Sequence, residues 1–325
     1  MIVQPEYVDF PVLGLKVSRI GFGCCPMGQH DWGATDEREL IKAVHAALDC
    51  GITFFDTADV YGLGVSELVL GKALKGKRES AIIATKFGVR IENDRTFFDN
   101  SKKWITQAVD KSLSRLGTDY IDLYQLHYWD NKTPIGETLC ALQSLRNSGK
   151  IRAFGVTNID LSDHGITQPM DGLASFSFEY SLANHVLEPV VYANQEKSGL
   201  CFLSWGSLGQ GILCGKYDSA TEFSETDRRS REVYVNFHGE KLARNLHIVD
   251  YMRSILPYYK DKTLSQLAIR WILDQIPFSI ALTGIKREEQ LKDNIGALGW
   301  KIEKEHHSKL CELSDFTTEI YGINS

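Results

Sequence analysis

Strand-like and helix-like segments alternate regularly along most of the chain. Short apolar runs, rich in β-branched and aromatic residues, occur at 19–23, 52–55, 81–86, 121–126, 151–156, 173–178, 200–204 and 279–282. Amphipathic stretches with helical spacing separate or follow them, at 37–49, 66–75, 101–116, 135–148, 160–168, 188–198, 239–257, 263–274, 287–298 and 303–314. Strands that alternate with helices build parallel sheets. Because no linker interrupts the eight runs, the sequence predicts an α/β fold, a (β/α)8 TIM barrel.

The remaining segments fit around such a barrel. Residues 7–18 contain short apolar runs broken by Pro11 and Gly14, which predicts a short N-terminal β-hairpin. The last two helical stretches would be extra C-terminal helices, and we expect a single domain over 1–325. A doubly wound sheet is the rival fold. It is disfavoured because neither GFGCCP (21–26) nor GLG (62–64) completes the Gly-x-Gly-x-x-Gly phosphate motif.

Composition excludes several classes of protein. The formal net charge is -6 and no run of Lys or Arg occurs, so a nucleic-acid-binding surface is not expected. No segment has the length of a membrane span or the layout of a signal peptide, so we expect a cytoplasmic protein with no membrane partner. No Cys-x-x-Cys pair occurs and no ligand set surrounds His306 and His307, so no metal is expected. Small molecules are the expected partners, and monomer or homo-oligomer is left open.

Ionisable side chains stand where the predicted strands end. Asp56 follows the second strand, with Tyr61 five positions later. Lys86 ends the third strand and His127 follows the fourth. Barrel enzymes carry their active sites at these strand ends, so the four side chains are expected to meet. Asp56 would keep Lys86 charged, and Lys86 would lower the pKa of Tyr61.

His127 would hydrogen-bond an oxygen shared with the phenol of Tyr61, and the group would protonate an oxygen that gains negative charge. Each residue alone also fits a structural role. Asp56 could cap a helix, Lys86 could be a solvated strand end, and His127 could be a core histidine. Four ionisable groups on consecutive strand ends favour the catalytic interpretation.

Several motifs carry a family resemblance. They are FFDTADVYG (54–62), ATK (84–86), LH (126–127), GVTN (155–158) and TGIKR (283–287), with Gln290 and Asn294. In these motifs, from about residue 8 to 300, the chain resembles the aldo-keto reductases, in their bacterial and potassium-channel β-subunit-like branch. The resemblance implies an NADP(H)-dependent oxidoreductase (EC 1.1.1) that transfers a hydride to a carbonyl group without a Rossmann domain. It also implies a catalytic tetrad with Tyr61 as general acid, Asp56 and Lys86 tuning it, and His127 orienting the carbonyl.

The resemblance further implies which residues bind the nicotinamide cofactor. They are Gly23, Asn158, Ser177, Trp205, Leu208, Gly209, Gly211, Gly284, Lys286, Arg287, Gln290 and Asn294. Asn158 is expected at the carboxamide, and Trp205 would stack on the nicotinamide where the family usually has tyrosine. Ser177 stands where the family often has glutamine. Lys286 and Arg287 would pair with a 2′-phosphate, which favours NADP(H), with NAD(H) as the alternative.

Loops beyond the strand ends are expected to contact the substrate. The candidates are Met27, Trp32, Phe87, Tyr128 and Trp129. Such side chains stack on sugars and on alkyl or aryl aldehydes alike, so the carbonyl compound is left open. The polar insertion 217–237 is interpreted either as a cover for the cofactor or as a surface loop. Two functions follow: reduction of an aldehyde or ketone, including a sugar-derived carbonyl, or a nucleotide-sensing regulatory subunit of the potassium-channel β-subunit type.

Overall fold

The computed structural model describes residues 5–29, 35–93, 95–166 and 168–315. Its strands are β1 (Tyr7–Phe10), β2 (Leu15–Ser18), β3 (Ile20–Gly23), β4 (Phe54–Asp56), β5 (Ile82–Phe87), β6 (Val89–Glu92), β7 (Arg95–Phe98), β8 (Ile121–Leu126), β9 (Ile151–Thr157), β10 (Leu173–Glu179), β11 (Cys201–Trp205) and β12 (Ser279–Gly284). Its α-helices are α1 (Glu37–Asp49), α2 (Val65–Ala73), α3 (Lys102–Leu116), α4 (Ile135–Asn147), α5 (Glu188–Ser198), α6 (Gly239–Ile255), α7 (Leu264–Gln275), α8 (Glu288–Ile295) and α9 (Lys304–Ser314).

A closed barrel of parallel strands is the centre of the fold. Its order is β3, β4, β5, β8, β9, β10, β11 and β12, and β12 pairs back to β3. Every residue of β4, β5 and β8 is buried, because side chains fill the inside of such a barrel and helices cover the outside. The register sets Gly23 beside Asp56 and Lys86 beside Gln125 on neighbouring strands. The predicted (β/α)8 TIM barrel is confirmed.

Local sequence signals set where several helices begin. Asp36 caps α1 by accepting a hydrogen bond from the Arg38 N–H at 2.7 Å. Ser101 caps α3 in the same way, and Thr263 and Gln266 form a reciprocal capping box at α7. Among the helices of the described residues, none is long and apolar enough to cross a membrane.

Two layers of apolar side chains hold the barrel together. The outer layer lies between strands and helices, where α1 contributes Leu40 and Val44 from one helical face. The inner layer fills the barrel around residues such as Phe54. The predicted N-terminal hairpin, β1 paired with β2, packs Phe10 and Val17 onto this inner layer. The hairpin covers the end of the barrel at which the strands begin. The carboxyl ends of the strands, at the opposite end, line a cavity.

Three local features differ from the sequence-based expectations. The helix expected at 160–168 is a single 3₁₀ turn, Leu161–His164, which ends at Gly165 in a left-handed conformation. The helix expected at 66–75 is Val65–Ala73, so Ser66 lies inside it, where its hydroxyl donates to the Cys24 carbonyl at 2.9 Å. The antiparallel hairpin of β6 and β7 was not predicted, because each strand is only four residues long and too short for its alternation to stand out.

Candidate active site

The four ionisable side chains lie together at the carboxyl ends of β4, β5 and β8. Asp56 is the last residue of β4, Lys86 is the second to last of β5, and His127 directly follows β8. Tyr61 reaches them from the loop after β4. This loop is tied to the neighbouring strand, because the Asp59 N–H donates to the Lys86 carbonyl at 3.4 Å.

Lys86 makes most of the hydrogen bonds in this group. Its Nζ donates to Asp56 Oδ2 at 2.7 Å and to the Thr57 carbonyl at 2.9 Å, and lies 3.5 Å from the Tyr61 phenol oxygen. The side chains of Lys86 and Asp56 are only 3% and 7% exposed. A buried ion pair that water cannot reach needs further hydrogen bonds to satisfy the other polar atoms of the two groups. Lys86 therefore joins the Asp56 carboxylate to the phenol.

Gln125 supplies a further contact that sequence reasoning missed. Its Nε2 donates to Asp56 Oδ1 at 3.4 Å. A glutamine inside a buried strand carries no catalytic signal of its own. The available clue was its position two residues before His127, on the strand that pairs with β5.

Burial decides the protonation state of Tyr61. It raises the pKa of the phenol well above its ordinary value, and Cys25 and Asp56 add to the shift. The net shift is opposite to the lowering expected from Lys86, because desolvation by burial is its largest cause. Burial also raises the pKa of Asp56, although Lys86 and Gln125 oppose that shift. The phenol therefore keeps its proton at neutral pH.

His127 faces Tyr61 as a neutral ring. The two ring centroids are 5.9 Å apart and the ring planes are nearly perpendicular, at 85°. Burial lowers the pKa of His127 well below its ordinary value, and the charge of Lys86 adds to the shift. The Nδ1 atom of His127 is buried without a hydrogen-bond partner. A neutral imidazole donates from one ring nitrogen, so His127 can orient an oxygen placed beside the phenol.

The lowered pKa of His127 makes folding stability depend on pH. The unfolded chain binds a proton near pH 6.5 and the folded chain only well below it, so stability is lost as pH falls below about 6.5. Between pH 7.5 and 5.5 we expect the wild type to lose about 1.4 kcal/mol more than His127→Gln. Urea unfolding of both proteins at the two pH values measures this difference. Equal losses would assign the acid sensitivity to other groups.

These side chains line a cavity of about 690 Å³. The four ionisable residues are joined on its wall by most of the predicted cofactor residues: Gly23, Asn158, Trp205, Leu208, Gly211, Gly284, Lys286 and Gln290. Tyr128, one of the predicted substrate residues, also lines it. The volume is within the usual range of small-molecule sites.

Asn158 and Trp205 are linked to each other and to the loop of His127. The Trp205 Nε1–H donates to Asn158 Oδ1 at 3.2 Å, and Asn158 Nδ2 donates to the His127 carbonyl at 3.3 Å. Asn158 has a φ of 61°, a left-handed conformation that asparagine tolerates better than most residues. The predicted nicotinamide contacts therefore lie beside the four ionisable residues.

Four predicted cofactor residues lie off the cavity wall. Ser177 and Asn294 are buried, and Ser177 Oγ and Asn294 Nδ2 have no hydrogen-bond partner. Gly209 is also buried, and a Cβ there would come within 2.9 Å of Ala183. Arg287 is exposed at the start of α8. The resemblance places all four at the cofactor, but none of them is among the residues that line the cavity.

The substrate predictions need correction at three positions. Met27 and Phe87 have no exposed surface and pack in the outer core, where Phe87 stacks on Tyr124 with ring centroids 4.8 Å apart. Trp129 donates its indole N–H to a backbone carbonyl of its own loop at 2.8 Å and does not line the cavity. Trp32 lies outside the described residues.

Part of the 217–237 insertion forms another section of the cavity wall. The lining residues are Tyr217, Arg228, Arg229, Val233, Tyr234, Val235 and Asn236. Arg229 donates from Nε to Asp227 Oδ1 at 2.9 Å, and its guanidinium lies 4.7 Å from the ring centroid of Phe223. Lys216 also lines the cavity. The wall therefore collects positive charge that the sequence motifs alone did not indicate.

Glu179 and Gln210 are lining residues that sequence reasoning missed. Gln210 Nε2 donates to Glu179 Oε1 at 2.8 Å. Glu179 is the last residue of β10, so the strand-end rule that selected Asp56 would also have found it. In the ranges that the structure describes, no group of three or more His, Cys, Asp or Glu side chains is placed to hold a metal ion.

Known proteins resemble this chain over nearly its whole length. The model of the Aldo/keto reductase family matches residues 19–315. Aldo-keto reductase YhdN from Bacillus subtilis (strain 168) is 36% identical over 314 residues, which cover 96% of this chain and 94% of the relative. The NADP(+) aldo-keto reductase yakc from Schizosaccharomyces pombe is 32% identical over 94% of this chain and 91% of its own length.

Among solved structures, the glycerol dehydrogenase AKR11B4 from Gluconobacter oxydans superposes with a TM-score of 0.85. It is 32% identical, and the match covers 95% of this chain and 94% of that chain. The similarity in sequence and fold therefore extends over nearly the whole chain and is not confined to the motifs. The chain belongs to the aldo/keto reductase family of oxidoreductases.

Proposed function

We propose that the protein is an NADP(H)-dependent oxidoreductase that reduces an aldehyde or ketone to the alcohol. The observation that carries the proposal is the position of Lys86 Nζ, between Asp56 Oδ2 at 2.7 Å and the Tyr61 phenol oxygen at 3.5 Å, on the wall of the cavity. The proposal covers 1–325 as one domain and an activity of class EC 1.1.1.

Tyr61 is the proton donor in this proposal. NADPH, when bound, would supply a hydride to the carbonyl carbon and leave negative charge on the carbonyl oxygen. The phenol O–H of Tyr61 gives its proton to that oxygen, and Lys86 Nζ, 3.5 Å from the phenol oxygen, supports this role because its charge favours loss of the proton. Lys86, held by Asp56, stabilises the phenolate that remains. His127, neutral beside the phenol, holds the carbonyl oxygen by a hydrogen bond.

The residues on the cavity wall fit a phosphorylated dinucleotide. Lys216, Arg228, Arg229 and Lys286 bring cationic donors to one cavity, which suits the anionic groups of the cofactor. A Cβ on Gly211 would meet nothing closer than 3.5 Å, so the backbone there is open to a close ligand. The name of the NADP(+) relative from Schizosaccharomyces pombe supports the same choice of cofactor. Asn158 and Trp205 would hold the nicotinamide end.

Lys286 is the residue we expect to distinguish NADPH from NADH. Burial and the charges of Arg229 and Arg287 lower its pKa, so a 2′-phosphate placed there would relieve repulsion between cations. Losing one charged hydrogen bond costs about 1.5 kcal/mol, so Lys286→Ala should weaken NADPH binding by about tenfold. NADH binding should change less than about twofold. Fluorescence titration with each cofactor measures both constants.

Arg287→Ala is the matched control, because Arg287 is the next residue and carries the same charge but is exposed off the cavity wall. It should leave both constants within about twofold. Equal losses of NADPH and NADH affinity in Lys286→Ala, or equal effects of the two substitutions, would count against a 2′-phosphate contact at Lys286.

Turnover with a panel of carbonyl compounds tests the proposed reaction. Propanal, benzaldehyde, glyceraldehyde and dihydroxyacetone would each be offered with NADPH and with NADH while nicotinamide absorbance is followed. The glycerol dehydrogenase relative makes the two glycerol-derived carbonyls useful members of the panel. The proposal expects oxidation of NADPH with at least one compound. Failure with every aldehyde and ketone, together with tight NADPH binding, would reject it.

A further inference from the structure

The hairpin of β6 and β7 exposes large apolar side chains close to the cavity. Ile91, Phe97 and Phe98 are 43%, 46% and 45% exposed. Clustered apolar side chains that are exposed to water often mark a binding surface. The hairpin directly follows β5, so it stands at the same end of the barrel as Lys86. This location allows the hairpin to contact a molecule that extends out of the cavity.

Phe98 is in contact with the loop that carries His127. Its ring centroid lies 5.6 Å from that of Tyr128, and Tyr128 in turn stacks on His127 at 4.9 Å with ring planes 22° apart. Asn100, which follows the hairpin and is fully buried, donates from Nδ2 to the Tyr128 carbonyl at 3.1 Å. The hairpin is therefore held to this loop by the ring contact of Phe98 and by a hydrogen bond from the Asn100 side chain just beyond it. Tyr61, His127, Tyr128 and Phe98 form a continuous row.

The cavity has a second apolar section near Tyr128. Val233 and Val235 line the cavity and are 76% and 52% exposed. Tyr234, between them, also lines it. Burial raises the pKa of Tyr128, and Glu179 and Tyr234, which line the same cavity, add to the shift. A substrate that extends outwards from Tyr61 would meet apolar groups from the insertion as well as the row of rings.

We propose that Phe98 is a specificity residue, and that the β6–β7 hairpin selects carbonyl compounds with an extended aromatic group. The carbonyl oxygen lies between Tyr61 and His127 in the proposed reaction, and this inference rests on that proposal. The first ring of the substrate then packs beside Tyr128 and the second beside Phe98. Phe98 stands outside the cavity wall beside the lining residue Tyr128, so only a substrate that extends past Tyr128 reaches it. Aromatic pairs prefer offset or edge-to-face contact with centroids about 4.5–7 Å apart, which is the contact a second substrate ring would make there.

A pair of substitutions separates this role from a general effect of the hairpin. Phe98→Ala should lower kcat/KM for biphenyl-4-carbaldehyde by about fivefold, since an aromatic pair contributes about 0.5–1.5 kcal/mol. Its kcat/KM for propanal should stay within about twofold of the wild type. Phe97→Ala is the control, because Phe97 is equally exposed on the same strand but has no ring contact with Tyr128 among those found in the described residues. Phe98→Trp should keep the preference.

The role of Phe98 can also be tested without turnover, by measuring the binding of a compound that the protein does not reduce. Calorimetry with the NADP-loaded protein would compare biphenyl-4-carboxamide with acetamide. The wild type and Phe97→Ala should bind the biphenyl amide more tightly, and Phe98→Ala should lose about fivefold of that preference. No preference in the wild type, or the same loss in Phe97→Ala and Phe98→Ala, would overturn the role of Phe98. A failure of the reductase proposal would appear separately, as absence of turnover with both aldehydes.

Discussion

Replacing Tyr61 with phenylalanine is expected to lower kcat for carbonyl reduction by about a thousandfold, because a positioned acid contributes roughly 10²–10⁴-fold to such a step. The substitution removes one oxygen and leaves the ring in place. The dissociation constant of NADPH should change less than about twofold, since the phenol is expected to contact the substrate oxygen. Steady-state kinetics with saturating NADPH, together with a cofactor titration, measure both quantities.

Tyr124→Phe is the control for this substitution. Tyr124 is a fully buried tyrosine on β8 whose hydroxyl has no hydrogen-bond partner and which does not line the cavity. Losing that hydroxyl should leave kcat within about twofold, because it pairs with nothing. If Tyr61→Phe kept more than a tenth of the wild-type kcat, another group would have to supply the proton, and the role given to Tyr61 would be wrong.

The barrel could be predicted from sequence because its strands are buried on both sides. A strand covered inside and outside is a continuous apolar run, and the run at 121–126 matches Ile121–Leu126 at both ends. Once the strands are known, the rule that barrel sites lie at their carboxyl ends selects Asp56, Lys86 and His127. The meeting of these groups on one wall follows from topology rather than from any single motif.

The direction of side chains beyond a strand end could not be predicted. Lys86 lines the cavity, whereas Phe87, the next residue of β5, packs in the outer core, because neighbouring residues of a strand face opposite sides. Which of two neighbouring residues in a strand faces the cavity depends on the register of that strand. The net pKa shift of Tyr61 depends on burial by several distant segments, which spacing along the chain does not encode. The contact between Phe98 and Tyr128 has the same long-range origin.

Lys86→Met should both destabilise the protein and stop turnover. The substitution leaves the Asp56 carboxylate buried without its cation, and breaking a buried pair in this way costs about 3–5 kcal/mol. The Tyr61 phenol also loses the ammonium group 3.5 Å from its oxygen. We expect the free energy of unfolding at pH 7.5 to fall by about that amount, measured by urea denaturation, and kcat to fall by at least about a hundredfold.

The loss of stability in Lys86→Met should depend on pH in a defined direction. Burial raises the pKa of Asp56 in the folded protein above its value in the unfolded chain. Lys86 opposes this rise in the wild type, so the pKa of Asp56 rises further when Lys86 is replaced. The folded variant therefore binds more protons than the unfolded chain. The contribution of Asp56 to its stability is greatest at low pH and is lost as pH rises towards the folded pKa, so the deficit relative to wild type should be smaller at pH 5 than at pH 8.

The double variant Asp56→Asn/Lys86→Met separates the structural role of the pair from its catalytic role. With neither charge present, no buried ion is left unpaired, so most of the lost stability should return and its dependence on Asp56 ionisation should disappear. Turnover should stay as low as in Lys86→Met, because no cation is left to stabilise the phenolate of Tyr61. Recovery of kcat together with stability would show that Lys86 serves only the fold and would remove it from the catalytic group.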